Sequence, residues 1–185
     1  SMLIIGILLV TWGLTRVSPD GDAAGAFRSA AFTVVSIQTT TGFVTDDFNL
    51  WPEYLKLLIL GMMMIGGCSG STSGSFKVIR FIILIKIITR ELIKLVHPRA
   101  IFHVKVGNKT IEPDDLSNVA ALTFLFMGIS ALSAIMLSFM GVDLTTAISA
   151  SIASLFNIGP GLGGVGAMGN YAPIPAMGKG ILISC

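Results

Sequence analysis

Residues 23–43 read AAGAFRSAAFTVVSIQTTTGF, and this stretch decides the fold class. Positions 23–38 have the apolar content of a helix. At 1.5 Å per residue they reach about 24 Å, short of the ~30 Å of bilayer hydrocarbon. A helix of that length enters a membrane and stops partway, and the glycine-bearing turn TTTGF at 39–43 supplies the stop. The same plan recurs 117 residues later. When Gly42 is laid on Gly159, SIQTTTG at 36–42 faces ASLFNIG at 153–159. Downstream, Pro52-x-x-x-Lys56-x-Leu58-Ile59-Leu60 matches Pro175-x-x-x-Lys179-x-Ile181-Leu182-Ile183 at an offset of 123. Identity is low but the order of elements agrees. Repeats of this kind in membrane proteins place the functional site where the repeats meet.

Composition agrees with a membrane chain. Of 185 residues, 53% are hydrophobic and 12% charged, about half the charge of a typical soluble domain. Mean hydropathy is +0.85. The apolar content also excludes disorder. Net charge is only +2, but eight of the 12 Lys and Arg lie between Lys77 and Lys109, with Glu91 the one acid among them. The positive-inside rule puts that segment in the cytoplasm. Apolar runs flank it on both sides, which argues against a nucleic-acid surface. Cys68 and Cys185 form no disulfide framework or metal spacing.

The remaining segments fall into place around the two short helices. Residues 2–14 are apolar and read as the end of a spanning helix. Residues 54–65 begin a second helix, which is interrupted at 66–75 and resumes from Phe76 to Ile88. Ten Gly, Ser, Thr and Cys residues at membrane depth need protein or water around their backbone, so the break borders an aqueous cavity. Residues 89–118 read as a polar linker, and 119–140 as an uninterrupted spanning helix. Residues 144–156 form the second half helix, and 176–185 begin another helix. The expected organisation is a pore repeat over 1–89, a basic cytoplasmic linker over 90–118 and a second repeat over 119–185.

A half helix followed by a few residues of extended backbone is the layout of an ion filter. A dehydrated monovalent cation needs oxygens in place of its water, and backbone carbonyls supply them without burying a full charge. The acidic loops lie opposite the basic linker, so both half helices enter from outside and aim their negative ends inward. GPGLGG at 159–164 also fits G-x-G-x-x-G. A dinucleotide site would need a strand before it and a helix after it; here a helical segment precedes and a Pro-bearing loop follows.

At Thr39–Phe43, at 66–72, at LVHPRA over 95–100 and at NIGPGLG over 157–163, the chain resembles the Trk/Ktr/HKT potassium-transporter superfamily, closest to its bacterial TrkH branch. The resemblance covers nearly the whole chain. It implies an all-α integral membrane fold of tandem helix–pore-helix–helix, potassium-channel-like repeats, with filter loops and a broken helix. This chain would be the third and fourth of four repeats around one pore. By resemblance, Thr40, Thr41, Gly42 and Phe43 line one quarter of a potassium filter, and Asn157, Ile158 and Gly159 another. The K⁺ ligands would come from Thr40, Thr41, Asn157 and Ile158. The segment Gly66, Gly67, Cys68, Ser69, Gly70, Ser71, Thr72, Ser73 and Gly74 matches the family's intramembrane gate loop.

The implied activity is potassium uptake across the bacterial inner membrane, with no enzyme chemistry and no covalent cofactor; coupling to H⁺ or Na⁺ stays open. The implied partners are the lipid bilayer, the other repeats of a longer chain, a cytoplasmic nucleotide-binding regulatory subunit of the TrkA type meeting residues 90–109, and a second copy in a homodimer. A non-conducting scaffold subunit is the alternative. Lys56 and Lys179 read as interfacial anchors, or else as charges shaping the pore mouth.

Overall fold

The computed structural model describes residues 2–17, 22–66, 76–96, 105–106, 109–110 and 113–185. Among the described residues seven helices run in order: α1 (Met2–Val17), α2 (Ala23–Gln38), α3 (Glu53–Met64), α4 (Val78–Val96), α5 (Pro113–Phe139), α6 (Leu144–Leu155) and α7 (Ala176–Ser184). A two-residue hairpin, β1 (Lys105–Val106) with β2 (Lys109–Thr110), is the one sheet among the described residues. Short 3-10 turns occupy Phe48–Leu50 and Gly163–Val165.

The two halves of the chain share local features. Both half helices, α2 and α6, start on an aspartate cap. Asp22 accepts from the Gly25 amide at 3.0 Å, and Asp143 from the Thr145 and Thr146 amides at 3.1 and 3.3 Å. These caps satisfy amides that a helix start leaves open and put negative charge at the positive end of the dipole. The helices that follow, α3 and α7, each begin after a proline, Pro52 or Pro175, whose carbonyl accepts from the lysine amide four residues on. Proline suits a helix start because its missing N–H needs no partner there.

Half helix α2 packs on α1, and α6 packs on α5. One apolar core spans both repeats: Val10, Val34, Ile37, Leu55, Ile59 and Met63 of the first meet Ile152, Leu155, Phe156, Ile158 and Leu162 of the second. The outer surfaces are apolar too. Ile4, Ile5, Leu8, Leu9 and Trp12 on α1 are exposed, as are Phe124, Leu125, Leu132 and Ile135 on α5. Asp115–Phe139 is the one described helix long and apolar enough to cross a membrane, and only 11% of its most apolar window is buried. The core helix of a soluble protein would be mostly covered, so this exposure fits a lipid-facing helix.

Two boundaries differ from the sequence reading. Helix α4 continues past Ile88 to Val96, and α5 begins at Pro113. The helix-free part of the linker is therefore shorter than 90–118. The charges that suggested an end to α4 fall at Lys86, Arg90 and Lys94, every fourth residue, with Ile and Leu between them. That spacing makes an amphipathic helix. At the break between α3 and α4, the Gly66 amide donates to the Phe76 carbonyl and the Phe76 amide to the Met64 carbonyl, both at 3.1 Å. These bonds close the neck of the expected gate segment. Residues 67–74 of that segment lie outside the described residues.

Candidate ion-filter site

The two half helices end in the same way, and local backbone hydrogen bonding is the cause. At the end of α2, the Thr40 amide donates to Ile37 O at 3.1 Å and the Thr41 amide to Ser36 O at 2.9 Å. At the end of α6, the Asn157 amide donates to Ser154 O at 3.1 Å and the Ile158 amide to Ala153 O at 2.9 Å. This pair of bonds is a Schellman motif, whose pivot residue takes a left-handed conformation. The pivots are Thr40, φ +55°, and Asn157, φ +52°, at matching places in the repeat. Asparagine tolerates that region; a β-branched threonine there is an outlier. Such strain persists where surrounding structure over-determines it, and it gathers at functional sites.

Two residues after each pivot stands a glycine with positive φ, Gly42 at +77° and Gly159 at +104°. The two turns touch. A Cβ built on Gly42 would lie 2.5 Å from the carbonyl oxygen of Ile158. Around Gly159 no atom lies within 4 Å of such a Cβ. Gly42 is thus required by conformation and by contact, Gly159 by conformation alone.

Thr40, Thr41, Asn157, Ile158 and Gly159 line one open cavity of ≈ 700 Å³. Ala153 and Ser154, from the last turn of α6, border it as well, so that helix turns its negative end toward the cavity. The structure therefore brings together five of the seven expected filter residues. Gly42 abuts Ile158 from behind. Phe43 stands apart: it is 71% exposed and lies along a groove on α2 with Phe27, Phe32, Val35 and Ser36. Lys179 reaches the cavity, where its ammonium donates to Ala172 O at 3.0 Å. Lys56 instead pairs with Glu53 at 2.9 Å. The two repeat-related lysines have different surroundings.

Four residues that hold the second turn carried no signal strong enough to single them out in the sequence. Ser149, fully buried on α6, accepts from the Leu162 amide at 2.8 Å and lies 3.1 Å from its carbonyl. Thr146, one turn earlier, accepts from the Gly164 amide at 2.9 Å. Asn49, from the first repeat's outer loop, exchanges two hydrogen bonds with Gly163, at 2.9 and 3.1 Å. Tyr171 donates to Gly159 O at 2.7 Å, and burial raises its phenol pKa above the usual 10.0. Its hydroxyl therefore remains a donor throughout the physiological pH range. The i, i+3 pair of small hydroxyls at 146 and 149 was the one readable hint.

Residues 3–183 match the TrkH family, described as cation transport proteins. The chain belongs to the TrkH family. Among its relatives, the Trk system potassium uptake protein TrkI of Halomonas elongata is 37% identical over 97% of this chain and 37% of its own length. The Trk system potassium uptake protein TrkH of Escherichia coli K12 is 37% identical over 98% of this chain and 37% of its own. The crystal structure of the potassium transporter TrkH from Vibrio parahaemolyticus superposes with a TM-score of 0.87 at 34% identity, covering 98% of this chain and 38% of that one. This TrkH-family chain thus spans little more than a third of the length of these relatives and has the all-helical fold of a membrane transporter.

Proposed function

We propose that this chain supplies two pore repeats of a potassium-uptake subunit in the bacterial inner membrane. The observation that carries the reading is the paired ending of α2 and α6. Two Schellman turns with the same left-handed pivot bring Thr40, Thr41, Asn157, Ile158 and Gly159 to one cavity. Carbonyl and hydroxyl oxygens in such a place replace the water of a dehydrated monovalent cation. Each repeat gives a quarter of the filter, and the K⁺ ligands come from Thr40, Thr41, Asn157 and Ile158. A negative interior drives uptake without a bond-making step, at ~2.3 kcal/mol per charge per 100 mV. The names of the relatives, potassium uptake proteins and a potassium transporter, support K⁺ as the ion.

In this reading 1–89 and 119–185 are the third and fourth repeats, joined by the basic segment 90–118 on the cytoplasmic side. The groove on α2 that holds Phe43 fits a neighbouring repeat of a longer chain. It is largely apolar and carries the unpartnered buried hydroxyl of Ser36. The segment 66–74 is the gate, as its resemblance to the family's intramembrane loop implies. A nucleotide-binding regulatory ring docks on the basic segment, and the subunit pairs with a second copy.

The test is Rb⁺ uptake by cells lacking their own potassium uptake. They express the full-length gene that contains this segment, with or without Gly159→Ala. Uptake that the substitution abolishes or makes unselective, at unchanged membrane abundance, supports the filter. Indifference to the substitution removes the filter assignment, and no uptake by either form favours the scaffold reading.

A further inference from the structure

Gly159 is a filter residue whose backbone nothing crowds. Its φ is +104°, and no atom would lie within 4 Å of a Cβ there. The peptide group that joins it to Pro160 has no N–H, because proline lacks one. The carbonyl is that group's only polar handle, and it accepts the Tyr171 hydroxyl at 2.7 Å, an ordinary strong O–H···O distance. Tyr171 and Gly159 both border the cavity that holds Thr40, Thr41 and Asn157. We infer that Tyr171 is a selectivity-positioning residue, whose hydroxyl sets the tilt of the Gly159–Pro160 peptide plane. The inference rests on the filter reading of 157–159 and adds to it the group that orients the peptide next to the Ile158 ligand.

Tyr171 is itself held firmly. Its ring packs on the cluster of Leu137, Val165 and Ile174, and its carbonyl accepts from the Ile174 amide at 3.2 Å. The next residue, Ala172, donates to Asn170 Oδ1 at 3.0 Å and accepts from Lys179 Nζ at 3.0 Å. The hydroxyl is therefore presented from a braced loop. Lys179 acts here as a prop for that loop, which gives the charge at the pore mouth a structural task.

The direction of the effect follows from ion size. Selectivity among monovalent cations depends on the number, spacing and field of the coordinating carbonyls. An untethered peptide plane at an uncrowded glycine lets the adjoining Ile158 carbonyl move toward a smaller ion and shorten its contact. A tethered one cannot. Loss of the tether therefore favours Na⁺ more than K⁺ or Rb⁺.

The experiment uses the full-length chain in cells lacking their own potassium uptake, and measures the ratio of Rb⁺ to Na⁺ uptake at matched membrane abundance. Tyr171→Phe is expected to keep Rb⁺ uptake and lower the ratio about three- to tenfold, the range that one net hydrogen bond carries. Tyr54→Phe is the control, because its hydroxyl also donates to a glycine carbonyl, Gly13 at 3.1 Å, but in the scaffold between α1 and α3. It should leave the ratio unchanged. A wild-type ratio in Tyr171→Phe, with the ratio altered in Gly159→Ala, overturns the inference and leaves the filter standing. Wild-type ratios in both overturn the two readings together. An equal fall in Tyr54→Phe, or a Tyr171→Phe protein that never accumulates in the membrane, makes the hydroxyl a folding contact and overturns the inference.

Discussion

Gly42→Ala should damage the filter more than Gly159→Ala, and the structure gives the size of the difference. Both substitutions force alanine to a positive φ, +77° at Gly42 and +104° at Gly159. That strain is worth about 1–2 kcal/mol per residue. At Gly159 it is the whole effect, because no atom lies within 4 Å of the new methyl. At Gly42 the methyl also meets the Ile158 carbonyl oxygen at 2.5 Å, where ordinary contact begins at 3.4 Å. The shortfall is 0.9 Å, and the obstacle is backbone rather than a rotatable side chain. Either the Thr41–Gly42 turn or the Ile158 carbonyl has to move by most of that distance, and both belong to the proposed filter. Strain of 1–2 kcal/mol corresponds to roughly 5- to 30-fold in a filter equilibrium. Gly159→Ala should fall within that range, and Gly42→Ala should exceed about 30-fold. The assay is Rb⁺ uptake and its inhibition by Na⁺, normalised to membrane abundance, in the full-length chain. A Gly42→Ala protein with selectivity equal to or better than Gly159→Ala would refute the reasoning, because the two turns would then not be in contact.

Further outcomes follow from the bonds around the second turn. Ser149→Ala leaves the buried Leu162 amide without its acceptor, which should destabilise the purified protein by about 1–3 kcal/mol, read as a lower midpoint in thermal unfolding. Asn49→Ala removes both bonds across the repeats to Gly163; it should cost less, about 0.5–1.5 kcal/mol for each bond at a half-buried site, and reduce ion selectivity rather than abundance. Phe156→Ala deletes a buried end ring of a row in which Phe126 stands in the middle, 5.6 Å from Phe156 and 5.8 Å from Phe76. The expected loss is about 3–5 kcal/mol, seen as poor accumulation in the membrane. The selectivity difference between wild type and Tyr171→Phe should be constant from about pH 6 to about pH 9. The phenol pKa is raised by burial, so the hydroxyl gives up its proton only above the ordinary value near 10; a difference that fades within that window would contradict its role as donor.

The sequence by itself determined the two short helices α2 and α6. The expected 23–38 became α2, Ala23–Gln38, and the expected 144–156 became α6, Leu144–Leu155. Their apolar content, Asp caps and terminal glycines are local, and a helix end is decided within one turn by its own backbone hydrogen bonds. The extent of α4 was misjudged because a run of charges was read as a linker, although its four-residue spacing is helical. The tertiary structure alone decided what surrounds the turns. Asn49 finds Gly163 across 114 residues, Ile158 O comes to rest against Gly42, and Phe43 turns away onto α2. Tyr171 finds Gly159 by the same means. None of these follows from composition or periodicity: the Asn49 and Gly42 contacts depend on how the two halves of the chain pack through one shared core, and the Tyr171 and Phe43 contacts on how a loop folds back on its own half. Local hydrogen bonding shapes the turn after each of α2 and α6, and packing around those turns sets where their oxygens stand.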